Sequence, residues 1–293
     1  MEARERHAGS GPAGEPAELP PITSSQNRQL SLVRRLIAKP RECRREGVLV
    51  ADGIHLVQEA LKAGLNCRAL FLTVSERQDE IGALVEEAAR RRLPVYRVLD
   101  HLFRTFSPVE TPEGALGVFE RPGLHGGKLW AGPSQIRGHL AVAHQIQDPS
   151  NLGALTRSAL AAGFSGLITS PGTVDPFHHR ALRASMGAAF HLPIRTDQPP
   201  GQLISTFRNL GYRTIALSPR AELDLTELDP APPSVLFLGS EGSGLDPAVE
   251  RNVDCRVRIP MQSGVESLGV AAAGAVAFFW LKLASRNGHL PRA

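Results

Sequence analysis

The stretch DPSNLGALTRSALAAGF, residues 148–164, begins as a loop and ends as an apolar helix, yet it carries one arginine, Arg157, in the apolar part. A guanidinium is planar, permanently charged and rich in donors, so it can grip a phosphate or stabilise an oxygen that is losing its proton. Asn151 and Gly153 stand just ahead of it. On a helical wheel Leu152, Leu155 and Ala159 form one apolar stripe, and Arg157 lies well round from it, above Gly153. Helical side chains lean toward the N-terminus, so Arg157 is expected to reach back over a bare Gly153 toward Asn151 and the loop. An arginine on a helix flank is ordinarily a solvated charge. Its company here, a loop of Asp, Pro, Asn and Gly, is less common.

Two later segments are also built like sites. FLGSEGSGLD, residues 237–246, ends an apolar strand and sets Gly239, Gly242 and Gly244 around Glu241. It lacks the Gly-Lys-Ser/Thr of a P-loop and the GxGxxG spacing of a dinucleotide turn. Its glycines imply close backbone approach to a ligand or to another chain segment, or else a plain tight turn. IPMQSGVESLGVAAAGA, residues 259–275, leads from a strand into the most apolar helix of the chain. Ser267 is placed to cap that helix, with free amides behind it that could hold a carboxylate or amide group of a ligand.

Chemistry at such loops needs a scaffold, and the hydrophobic patterns supply one. A basic helix is expected at about 25–39, then a strand at VLVAD, a helix over IHLVQEALKAG, a strand at RALFLTV, a helix through EIGALVEEAARRR, and strands near PVYRV and GALGVF. The segment RPGLHGGKLWAGPSQIRG then breaks the pattern with Gly and Pro. Beyond it, apolar strands at HLAVAHQ, GLIT, RTIALS, VLFLG and RVRIP alternate with helices near 152–163, 178–188, 201–210 and 267–284. This is an α/β chain whose second part holds a parallel sheet covered on both faces. Ligands of such sheets bind at the carboxyl ends of strands, where all three unusual loops fall. The expected organisation is a disordered tail over 1–21, a smaller α/β domain over 22–121, a linker over 122–136 and the parallel-sheet domain over 137–288.

Composition narrows the class. The 293 residues are 42% hydrophobic and 21% charged, enough to bury a core, and the net charge of +4 mildly favours a polyanionic partner. Arg28, Arg34, Arg35, Lys39, Arg41, Arg44 and Arg45 face a single acid, Glu42, in one short run, a plausible phosphate-contacting strip. Aromatic residues are only 5%, so recognition of a nucleic acid would rest on shape and phosphates more than on stacking. Cys43, Cys67 and Cys255 are widely spaced with no CxxC pair, which disfavours a disulfide framework or a thiolate metal site and fits a reducing, cytoplasmic setting. The run Leu268–Leu281 is too short to span a bilayer, so no membrane association is expected.

The three segments, in this order, resemble the motifs of the SpoU or TrmH family of SPOUT-class RNA ribose 2′-O-methyltransferases. Asn151, Gly153 and Arg157 match the first motif, FLGSEGSGL the second and IPMQSGVESL the third. RASMGAAFHLPI, residues 183–194, looks like that family's connecting segment, and the stretch from Ile22 to Leu61 is similar to the L30e-like substrate-binding domain many members carry. The resemblance spans residues 22–284. It implies a C-terminal trefoil knot and S-adenosylmethionine as cofactor, held largely by backbone groups at the matching positions Gly239, Ile259 and Leu268. It implies no metal, and a catalytic set of Arg157, Asn151, Glu241 and Ser267. RNA is the implied partner, most readily 23S ribosomal RNA because of the L30e-like appendage. A tRNA substrate and a catalytically silent RNA-binding protein are the alternatives, and pairing through the knotted domains implies a homodimer. One departure stands out. After Ser267-Leu268 the family usually has Asn, and this chain has Gly269.

Overall fold

The computed structural model describes residues 21–74, 78–122, 138–231, 233–265 and 267–287. The expected tail and linker lie outside the described residues, apart from positions 21 and 122. Helix α1, Arg28–Ala38, starts where the Asn27 side chain accepts the Gln29 amide at 2.8 Å. Pro40 cannot continue it and instead opens a second helix, α2, Pro40–Glu46, so the basic segment is two helices and not one. Then follow β1, Val48–Asp52; α3, Ile54–Lys62; β2, Cys67–Thr73; α4, Gln78–Arg90; β3, Val95–Val98; α5, Asp100–Phe103; and β4, Ala115–Glu120. The strands form a mixed sheet in the order β1-β4-β2-β3. Alternate residues of β1 serve opposite faces: Val48 and Val50 join Leu30, Val33 and Phe103, whereas Leu49 and Ala51 join Val57, Leu84 and Phe119.

The second unit runs β5, Leu140–Ala143; α6, Pro149–Ala162; β6, Gly166–Thr169; α7, His179–Ser185; β7, Ile194–Arg195; α8, Pro200–Asn209; β8, Arg213–Leu217; β9, Leu223–Asp224; β10, Ser234–Leu238; α9, Pro247–Asn252; β11, Cys255–Arg258; and α10, Val270–Asn287. All seven strands are parallel, in the order β7-β6-β5-β10-β8-β11-β9. Chain order reverses between β5 and β10, which makes their carboxyl ends a topological switch point. The short strands β7 and β9 carry too few residues for a sequence pattern and exist through pairs such as Leu167 with Ile194.

The two units share buried surface. Arg121 at the end of the first unit makes two short hydrogen bonds to Asp175 of the second, Nη1 to Oδ2 at 2.6 Å and Nη2 to Oδ1 at 2.8 Å. Its guanidinium also lies 4.8 Å from the centre of the Phe177 ring. Phe177, Leu182, Ala189 and Phe190 pack into the same cluster as Ala51, Leu56 and Val57. At the rim Arg44 pairs with Asp197 at 2.6 Å and His191 with Glu59 at 3.1 Å. Removing the first unit would therefore uncover apolar side chains of the second.

His139, just ahead of β5, ties three elements together. Its Nδ1 accepts the Ser234 amide at 3.1 Å, so the ring proton sits on Nε2 and is shared with Ser285 Oγ of α10 at 3.0 Å. Burial pushes its pKa down to about 4 from an ordinary 6.5. A proton added at Nδ1 would break the Ser234 bond. Because the folded value is depressed, this group's contribution is complete above pH 6.5 and is lost as pH falls toward 4, by up to about 3 kcal/mol. We predict that urea unfolding midpoints decline across that window, and that His139→Asn flattens the decline because its carboxamide oxygen can still accept the Ser234 amide. An imidazole titrating near 6.5 by NMR in the folded protein would contradict this.

Candidate functional site

Three loops gather at the carboxyl ends of β5, β10 and β11. The first is fixed by its own helix start. Asp148 caps α6, its Oδ1 accepting the Ser150 amide at 2.8 Å, and Pro149 occupies the first helical turn, where its missing N–H costs nothing. Asn151, one residue on from Ser150, turns outward and donates from Nδ2 to Glu241 Oε1 at 2.7 Å. This bond joins the first loop to the second across the switch point.

The second loop, residues 239–246, folds back on itself. Ser240 and Gly244 exchange backbone hydrogen bonds at 3.0 Å in both directions. A Cβ on Gly239 would lie 2.1 Å from the carbonyl carbon of Gly244. The close approach expected at this glycine is thus met by another chain segment, the loop's own return.

The third loop corrects an expectation. Helix α10 begins at Val270, and the carbonyl of Gly269 accepts the Ala273 amide at 2.9 Å, so Gly269 holds the cap position and Ser267 does not. The apolar pattern that suggested a start at Ser267 includes Leu268, which is 39% exposed ahead of the helix. Ser267 is exposed and makes no side-chain hydrogen bond among the described residues. Ile259 is half-buried against the core beneath α10. A side chain at Gly242 or Gly269 would meet nothing within 4 Å, so open space borders both loops.

Arg157 also differs from its expected pose. Gly153 is not bare: α7 lies across it so closely that a Cβ there would be 2.4 Å from the carbonyl oxygen of Ala181 and 2.6 Å from Ala184 Cβ. The way back over Gly153 is occupied by α7. Arg157 instead projects into solvent and makes no hydrogen bond or ion pair among the described residues. It lies six residues beyond Asn151, about 9 Å along the axis. The structure therefore brings Asn151 and Glu241 together, and among the described residues Arg157 and Ser267 make no hydrogen bond or ion pair with that pair. Arg180 and Arg183, on the helix packed against α6, are exposed as well.

Sequence reasoning passed over His144, at the end of β5. It is 4% exposed, with Nδ1 3.0 Å from Ser170 Oγ. A lone histidine ending an apolar strand carries no signal that separates it from an ordinary core residue. Among the described residues no cluster of three or more His, Cys, Asp or Glu side chains could hold a metal, and no helix is long and apolar enough to cross a membrane.

Residues 139–279 match the SpoU rRNA Methylase family, and residues 27–117 match the MRM3-like substrate binding domain. An uncharacterized tRNA/rRNA methyltransferase of Mycobacterium bovis is 31% identical over 83% of each chain. A 23S rRNA (guanosine(2553)-2′-O)-methyltransferase of Bacillus subtilis is 25% identical over 89% of this chain and 98% of its own. Among solved structures, an AdoMet-bound rRNA methyltransferase from Sinorhizobium meliloti superposes with a TM-score of 0.77 at 27% identity, covering 92% of this chain and 99% of that one. With its parallel-sheet SPOUT domain and its substrate-binding domain ahead of it, the chain belongs to the SpoU family of RNA methyltransferases.

Proposed function

We propose that the protein transfers a methyl group from S-adenosylmethionine to a ribose 2′-hydroxyl of RNA, with 23S ribosomal RNA as the favoured substrate. The observation that carries this reading is the Asn151–Glu241 bond, which joins two motif segments across the switch point, with Arg157, unpaired among the described residues, further along the same helix. Gly239, Ile259 and Leu268 would hold the cofactor. The surroundings fit: folded-back main chain at the second loop, exposed apolar Leu268 and Val265 at the third, and open space at Gly242 and Gly269. When bound, the cofactor supplies an electrophilic methyl group on a sulfonium.

Arg157 is a poor proton acceptor, because a guanidinium stays charged at ordinary pH. Its solvent-facing charge suits it to hold the target phosphate and to stabilise the ribose oxygen as negative charge builds there. Asn151 and Glu241 fix the two loops relative to each other, and the Ser267 hydroxyl is free to serve the third. On the substrate-binding domain the basic strip is partly neutralised by the chain itself: Glu42 pairs with Arg35 at 2.9 Å and lies within 4 Å of Lys39 and Arg45, and Arg44 is engaged by Asp197. Arg28 and Arg41 are exposed and unpaired among the described residues, so they are the strip's most available phosphate contacts.

Gly269 favours weighing a catalytically silent RNA-binding reading. Its place at the cap of α10 weakens that reading, since glycine is nearly as good a cap as asparagine. A knotted C-terminal chain and a homodimer complete the proposal. Helix α10 buries Ala277, Phe278 and Leu281 on one face and exposes Val276, Phe279 and Leu283 at 45%, 40% and 55% on another, an apolar stripe suited to a second copy.

Labelled methyl incorporation into ribosomal RNA and tRNA, with mapping of the modified ribose, tests the reaction and separates the two substrates. Arg157→Ala should lower transfer about 100- to 1,000-fold while the protein stays folded and binds cofactor. Turnover near the wild-type rate would remove Arg157 from the mechanism. Gly269→Asn should stabilise the fold by only ~0.3 kcal/mol and leave cofactor affinity unchanged. Were that substitution to create binding and transfer absent from the wild type, the silent reading would stand. Light scattering at micromolar concentration should show a dimer that Phe279→Asp dissociates, and a wild-type monomer would contradict the pairing.

A further inference from the structure

We propose that His144 is a positioning residue for the cofactor loop, drawing residues 239–246 shut through Asp246. The inference rests on the reading of that loop as a wall of the cofactor site. His144 touches the loop at both ends. Its backbone N–H donates to the carbonyl of Leu238 at 2.8 Å, which holds the residue just before Gly239. Its ring faces the other end, with Nε2 3.8 Å from Asp246 Oδ2, too far for a hydrogen bond. Nε2 is buried and has no hydrogen-bond partner among the described residues.

The opposite edge of the ring is anchored. Nδ1 lies 3.0 Å from Ser170 Oγ, and that hydroxyl also accepts the Gln145 amide at 3.1 Å. The hydroxyl's own proton has two acceptors, Nδ1 at 3.0 Å and the Pro171 carbonyl at 3.2 Å, and donation along the shorter contact to Nδ1 places the imidazole proton on Nε2. The other tautomer would turn a buried lone pair toward a carboxylate. The favoured tautomer thus aims a buried N–H, unpaired among the described residues, at an acceptor about 0.6 Å beyond hydrogen-bond range, an arrangement with a standing preference for closure. Asp246 is free to respond. It occupies the cap position of α9 without a side-chain capping bond, and its side chain is 57% exposed. A ligand lying on the loop would shield this carboxylate from solvent and favour formation of a bond to Nε2.

Calorimetry with S-adenosylmethionine tests the proposal on the full chain. His144→Asn retains a group near the Nδ1 position but cannot reach Asp246, and Asp246→Ala removes the acceptor. Each should weaken binding about tenfold, and the double variant should be no weaker than either single one. His144→Gln, whose longer amide reaches toward Asp246, should restore binding to within about threefold of wild type. In the wild type the 15N resonance of the His144 Nε2 should shift on cofactor addition, and in Asp246→Ala it should not. Wild-type protein that binds no cofactor would overturn the cofactor reading and this inference with it. Wild-type binding with unchanged affinity in the variants, or losses that simply add in the double variant, would overturn the role of His144 alone.

Discussion

The missing side chain at Gly153 is the constraint on which the arrangement depends. It lets α7 lie on α6 at a separation that no side chain permits, with Ala181 and Ala184 in the space a Cβ would need. That contact sets the position of α6, and α6 carries both Asn151 and Arg157. It also sets α7, whose Leu182 enters the apolar cluster shared with the first unit. On its other side α6 receives α10, where Leu155 presses close to Gly274. One helix therefore fixes the first motif, the seam between the units and the rod that carries the third motif. Overpacking at such a point strains several elements at once, because each is held by backbone and not by an adjustable side-chain end.

Much of this was legible in the residues alone, for physical reasons that differ by element. The strands VLVAD, GLIT and VLFLG announce themselves because strands buried on both faces are nearly continuous apolar runs, with polar residues such as Asp52 and Thr169 only at their ends. The three loops could be found because unusual backbone needs unusual residues. What each loop does with them was less visible: Gly239 accommodates its own loop, and Gly153 accommodates a helix, since a glycine signals close approach without naming the neighbour. Helix α2 escaped notice because PRECRRE has a single apolar residue, Cys43, and so no period. The seam was illegible for another reason. Arg121 and Asp175 are 54 positions apart, and nothing local to either implies the other. Ser267 was misjudged as a cap because exposed Leu268 counted toward a helix that begins two residues later.

Electrostatics at the site follow from what is already spoken for. Most of the basic strip on α1 and α2 is engaged by Glu42, Glu46 and Asp197, so its formal charge overstates what a polyanion would meet. Arg157, by contrast, spends none of its donors on the described residues. A fully hydrated guanidinium is a costly group to recruit into a folded network and a ready one to recruit into an interface.

The Arg121–Asp175 pair, buried beside Phe177, has a consequence for how an RNA is chosen. An appendage on a slack tether samples many distances and can deliver a range of substrates to one reaction centre. Here the appendage is welded to the catalytic sheet by paired charges and a common apolar layer, so the interval between Arg28 or Arg41 and Arg157 is a property of the protein and not of the linker. On the proposed function the molecule would work as a gauge: an RNA gripped at one end would be accepted only if its own architecture set a ribose at the matching interval, so that shape would be measured with little need to read a base.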